Sequence, residues 1–133
     1  MIMFDTNICV YIIKKRPQSV LERFESLGDE LVVISVVTFA ELQYGVEKSM
    51  TQKRNQHVLD NFLSNLVVLP WERDAGVHYS KLRCFLERQG TPIGNMDLFI
   101  AAHALSQKAV LVTNNLKEFG RAPGLNVENW AAT

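Results

Sequence analysis

Asp5, Glu41, Asp97, Asn115 and Glu118 are the side chains whose types and places could do chemistry together in this sequence of 133 residues. Asp5 closes the apolar run Met1–Phe4, and Glu41 falls in the early turns of the helix expected after Leu31–Ile34. Asp97 opens the apolar stretch DLFIAAHALS, while Asn115 and Glu118 follow Ala109–Val112. Singly, each has an ordinary reading: Asp5 and Asp97 suit turns or helix caps. Glu41 resists one, because it sits among Val36, Val37, Phe39, Ala40 and Leu42, where burying a charge without a partner is costly. Brought together, three carboxylates would repel and raise one another's pKa values. No Lys or Arg adjoins any of the three in sequence. A divalent cation resolves that conflict, and carboxylates, amides and water suit Mg²⁺ or Mn²⁺ rather than zinc.

Other chemistries find less support. His57, His78 and His103 are isolated from one another and from any Cys pair, so a zinc site lacks its ligand spacing. All three read as surface or satisfied core residues. The phosphate-cradling run G-x-x-x-x-G-K-[ST] is absent, and Gly90–Asn95 reads as a connecting loop. A strand-end Asp can be a phosphorylated nucleophile. Small α/β phosphohydrolases of that kind commonly carry a second Asp two residues on, where this chain has Asn7.

The elements that must position these acids are short. Met1–Phe4 reads as a strand, Ile8–Ile13 as a helix ending near Lys15, and Ser19–Leu27 as a second helical piece stopped by Gly28. Leu31–Ile34 is an unbroken β-branched run, as in a strand covered on both faces. Ser35 is placed to cap a helix running to about Lys48. Thr51–Leu66 has helical spacing, Val67–Leu69 reads as a strand, and Glu72–Gln89 as an amphipathic helix. Residues 97–106 form a helix apolar almost all round, with Asp97 at its start, then Ala109–Val112 a buried strand and Leu125–Val127 an edge strand. Strands alternating with helices predict an α/β fold with a mainly parallel sheet. Such sheets bind ligands beyond the carboxyl ends of their strands, which is where the acids fall.

Length fits a single domain over 1–133. An apolar content of 47% suffices for a core, and 21% charged residues exclude a disordered chain. The net charge of zero gives no global basic field. Lys14-Lys15-Arg16 and Lys53-Arg54 are local clusters that alone read as solvated faces. No run approaches the roughly 20 apolar residues of a membrane span. Cys9 and Cys84 read as buried free thiols, and a cytoplasmic location is expected.

The chain resembles PIN-domain ribonucleases, and among them the toxin subunits of VapBC toxin–antitoxin pairs of the enterobacterial type. The resemblance spans nearly the whole length. It rests on Phe4–Asn7, Thr38–Gly45, Thr91–Ala104, Val112–Phe119 and Pro123–Trp130. Five motifs in the right order are specific where one would be weak.

It implies a PIN-like three-layer fold and a metal-dependent endoribonuclease. Asp5, Glu41 and Asp97 would hold Mg²⁺, with Mn²⁺ the other choice. Asn115 stands where many relatives carry a fourth acid; Glu118 could restore that charge or simply face solvent. Thr6 and Thr113 match hydroxyl positions that steady the acids or a water. The subgroup cuts initiator tRNA in its anticodon stem-loop, with Lys14, Lys15, Arg16, Lys53 and Arg54 available to its phosphates. Relatives form homodimers, are neutralised by a cognate VapB-type antitoxin, and bind promoter DNA through that antitoxin. The alternative is a non-catalytic PIN-like protein that binds RNA or a partner, against which the retained acids argue.

Overall fold

The computed structural model describes residues 1–131; the last two residues of the expected 1–133 domain lie outside the described residues. Strands β1 (Ile2–Phe4), β2 (Val32–Ser35), β3 (Val67–Leu69), β4 (Val110–Val112) and β5 (Val127–Glu128) form one sheet in the order β3-β2-β1-β4-β5. Every neighbouring pair is parallel, with Met3 opposite Val33 on one side and Leu111 on the other. The expected edge strand exists but lies slightly later, at Val127–Glu128.

The crossovers carry α1 (Thr6–Lys14), α2 (Gln18–Glu25), α3 (Val36–Glu47), α4 (Gln52–Leu63), α5 (Arg73–Arg88), α6 (Asn95–Gln107) and α7 (Leu116–Phe119). Strand alternation splits the core in two. Ile2, Phe4, Val32 and Ile34 pack with α1, α2, α4 and the Leu42–Val46 side of α3. Met3, Val33 and Leu111 pack with α5 and α6. Successive side chains of a strand point to opposite faces, so a sheet covered on both sides needs apolar residues at every position, as in β1 and β2. The result is the three-layer arrangement, helices on each face of a parallel sheet.

Three local departures from the sequence reading matter for the site. α1 begins at Thr6, not Ile8, because Asp5 itself is the N-cap, accepting the Ile8 N–H at 2.9 Å. α6 begins at Asn95 with Gly94 at its N-cap, so Asp97 does not start the helix and does not cap it. The short helix α7 was not anticipated; Asn115 caps it by accepting the Glu118 N–H at 3.3 Å. Elsewhere Ser35 caps α3 as expected, accepting the Val37 N–H at 3.1 Å. Cys9 is buried, but Cys84 is exposed. On α5 the buried positions are Leu82 and Leu86, and Cys84 lies midway between them, on the opposite side of the helix.

Candidate active site

The sheet order reverses between β1 and β4, and the backbone closes that seam where Asp5 N–H donates to the Val112 carbonyl at 3.1 Å. Ligands of open α/β sheets bind at such a switch point, beyond the strand carboxyl ends. Asp5 ends β1 there and is 3% exposed. It accepts from the Ile8 and Asn7 backbone and from the Thr113 hydroxyl, which steady its charge. Burial outweighs them and, with Glu41 nearby, pushes the Asp5 carboxyl above its usual range.

Glu41 reaches the same place from the second turn of α3, where the Thr6 hydroxyl donates to it at 2.6 Å. Asp97, in the first turn of α6, is raised to about 7 by burial first, then by Glu118, Asp5 and Glu41. Glu118 on α7 accepts a hydrogen bond from the Asp97 carboxyl, and that bond is the main reason its own pKa is lowered. The Gly94 N–H, the Asn115 amide and the Arg121 charge lower it further. Four acids from four elements thus sit in one another's field.

Asn115 plays a local part. Its Nδ2 donates to Glu118 Oε2 at 2.9 Å, and its backbone N–H donates to Thr113 Oγ1 at 2.9 Å. Thr113 is therefore a buried bridge, its hydroxyl donating to Asp5 and accepting from Asn115. The structure brings Glu118, which the sequence leaves between a charge-restoring and a solvent-facing role, into the acid cluster. Gly94 and Arg121 were missed altogether. Neither carries a signal in sequence, since Gly94 acts through its backbone and Arg121 through a loop contact to the Pro92 carbonyl at 3.0 Å.

The donor set suits a hard divalent cation. All four side chains offer oxygen, and no Lys or Arg is among the main influences on Asp5 or Asp97. Among the described residues, no three His, Cys, Asp or Glu side chains stand at the spacing of a finished cage. A cation held by Asp97 has to replace the proton that Asp97 shares with Glu118.

Residues 2–125 match the PIN domain family. The chain belongs to that family. Within it, this PIN domain is 49% identical to ribonuclease VapC2 of Rickettsia felis over 129 residues, 96% of each chain. It is 45% identical to a tRNA(fMet)-specific endonuclease VapC of Salmonella typhimurium over 128 residues, again 96% of each. Among solved structures it is similar to VapBC2 from Rickettsia felis bound to a promoter DNA fragment, with TM-score 0.92, 48% identity, and coverage of 98% of this chain and 99% of that one. The PIN domain described here is accordingly a ribonuclease of the VapC group.

The basic residues stand apart from the acids. Lys14, Lys15 and Arg16 close α1, and Lys53 and Arg54 open α4; all are exposed, and none enters an ion pair among the described residues. His57 is exposed, His78 half-buried and His103 buried, its Nδ1 2.7 Å from the Ser35 hydroxyl. None of the three is placed with the PIN domain's acids. No helix of the described residues is long and apolar enough to cross a membrane.

Proposed function

We propose that this PIN domain is the toxin of a toxin–antitoxin pair, a cytoplasmic endoribonuclease that cuts initiator tRNA in its anticodon stem-loop with Mg²⁺ or Mn²⁺. The observation that carries the reading is the convergence of Asp5, Glu41, Asp97 and Glu118 at the β1–β4 switch point. The substrate is supported by the Salmonella relative, a tRNA(fMet)-specific endonuclease. The partner is supported by the VapBC2 complex on promoter DNA. In that picture the antitoxin makes the promoter contacts, and a second copy of this chain completes a homodimer.

Asp5, Glu41 and Asp97 would hold the cation, with Glu118 beside them as the fourth acid. When bound, the ion polarises the scissile phosphate and lowers the pKa of an attacking water. The chain's own residues fix where this happens. Ile8 N–H and Thr113 hold the Asp5 carboxylate, and Thr6 holds Glu41. Asn115 and the Gly94 N–H hold Glu118 in its ionised form beside Asp97. Water adding to phosphorus breaks the P–O3′ bond, leaving a 5′-phosphate and a 3′-hydroxyl. Lys14, Lys15, Arg16, Lys53 and Arg54 contribute phosphate contacts without sequence preference.

An open groove between α1, α3 and α4, lined by Ile13, Leu42, Gly45, Val46, Val58 and Leu59 together with Lys14 and Asn55, suits an amphipathic antitoxin segment. The test is purified initiator tRNA incubated with the antitoxin-free protein in Mg²⁺, with EDTA and Asp97→Asn as controls. Cleavage confined to the anticodon stem-loop and absent from both controls is the expected result. A folded protein that leaves this tRNA whole while cutting another RNA would refute the substrate assignment.

A further inference from the structure

A second cleft lies at the carboxyl end of α1, the end away from Asp5. It measures about 440 Å³ and is lined by Val10, Tyr11, Lys14, Arg16, Pro17 and Ala131, a size that admits a small ligand group. We propose that this cleft is an RNA subsite in which an unpaired nucleotide near the scissile phosphate stacks its base on Tyr11 while Lys14 and Arg16 hold the adjoining phosphates. This rests on the ribonuclease reading above and specifies how the substrate strand leaves the acid cluster.

Tyr11 is fixed relative to the acids. Its hydroxyl accepts from Asn114 Nδ2 at 2.7 Å. Asn114 lies between Thr113, which holds Asp5, and Asn115, which holds Glu118. On α1 the residues Asn7, Val10, Tyr11 and Lys14 share a face by helical spacing, so a strip of side chains runs from the end of β1 to the cleft. At its far end Lys15 takes a left-handed conformation, φ 57°. That bend returns Arg16 to the turn above, where its N–H donates to the Tyr11 carbonyl at 3.0 Å. A ring and two cations are thus gathered at one place.

The lining favours nucleic acid over peptide. It holds two cations and no acid, and neither cation has a carboxylate partner among the described residues. In a chain with zero net charge, such a pair is a local field rather than part of a general one. Stacking on an aromatic face with phosphates on adjoining cations is how single strands are commonly held. The α1–α3–α4 groove shares Lys14 but has neither an aromatic ring nor a second cation, so the distinction rests on Tyr11 and Arg16.

The test uses the full chain carrying Asp97→Asn, so that RNA is bound and not cut. Affinity for the labelled anticodon stem-loop is measured with Tyr11→Phe, Tyr11→Leu or the pair Lys14→Gln/Arg16→Gln added. Tyr11→Leu should weaken binding about tenfold, while Tyr11→Phe, which keeps the ring, should stay within about twofold of the parent. The pair should lower the slope of log affinity against log salt by about 1.4, two single-strand phosphate contacts. Both its side chains are exposed, so this arm stands even where Tyr11→Leu misfolds. Unchanged affinity in Tyr11→Leu, or an unchanged salt slope in the pair, overturns the subsite. So does a loss confined to binding of the antitoxin, which would make the cleft a protein-docking surface. Cleavage by the chain with its Asp97 intact is scored separately. RNA held through Tyr11 but never cut leaves the subsite standing and sinks the nuclease reading; RNA cut with Tyr11→Leu binding unchanged does the reverse.

Discussion

Asp97 donates a hydrogen bond to Glu118, so one proton is held between two acids that reach the site from different helices. Asp97 is raised from 3.8 to about 7 by burial and by three neighbouring acids. A carboxyl raised on folding stabilises the fold most below its unfolded value, and that contribution is lost as pH rises through the folded value. Without divalent ions, the protein should therefore lose stability relative to Asp97→Asn as pH climbs from 3.8 to about 7. Glu118, held below 4.5, works in the opposite sense only at more acid pH. Buried His103, whose pKa is lowered, also destabilises on acidification, but it is common to both proteins and cancels in the difference. Thermal melts of the two across pH, with and without Mg²⁺, measure this. Added Mg²⁺ should reverse the trend and bind more tightly up to about pH 7; a flat difference in melting temperature would count against the shared proton.

Glu118→Gln and Asp97→Asn should separate in activity. Asp97 is proposed to touch the cation directly, so its loss should exceed the roughly 10–100-fold that outer-shell changes cost. Glu118→Gln keeps a hydrogen-bonding partner for Asp97 but removes the charge that helps keep Asp97 protonated. Its cleavage rate should fall by about 10–100-fold, with the smallest deficit below pH 7, where Asp97 ionises more readily than in the parent. Rates of RNA cleavage over pH 6 to 9 check both; equal losses at every pH would mean that Glu118 merely ligates.

Thr113→Val should harm both stability and metal binding. It leaves Asp5, which is 3% exposed, without its hydroxyl donor. The cost should be about 1–3 kcal/mol by denaturant melt, with metal affinity down by about tenfold or more by calorimetry. Thr113→Ser retains the donor and should recover most of both.

Trp130→Ala tests the far side of the sheet. Trp130 is buried, edge-on to Phe4 at 5.3 Å, with Arg23 5.2 Å above its ring. Its loss should cost about 3–5 kcal/mol, lowering the melting temperature by about 10 °C or more. Metal affinity, measured below the new melting point, should fall by less than in Thr113→Val, because Trp130 packs on Phe4 and contacts none of the acids themselves.

The sequence made some of this site easy to read. Asp5 is marked by an apolar run that stops at a charge, and Glu41 by a charge inside an apolar helix. Asp97 is marked by the apolar helix it opens, but its cap reading fails because α6 starts two residues earlier, and nothing in Gly94-Asn95-Met96 distinguishes loop from first turn. Glu118 could not be resolved because α7 spans four residues, too few to show a helical period. Strand order was also hidden: apolar runs reveal that strands are buried, while which pairs with which depends on crossovers that carry no such pattern. Thr113's bridge between Asp5 and Asn115 is a matter of distance alone.

β1 lies at the centre of the sheet, yet its neighbour β4 begins only at Val110, and the last acid of the cluster is Glu118. A ribosome adding about 5–20 residues each second exposes Asp5 first and supplies its seam last. A nascent chain that has reached Ala109 carries Asp5, Glu41 and Asp97 but neither the strand that seats Asp5 nor the helix that presents Glu118. The pairing of β1 with β4 is a contact of long sequence separation, and such contacts form late. On the reading proposed above, cutting power arrives only when translation of this segment is nearly done, so an interrupted message yields fragments in which the acids are never assembled.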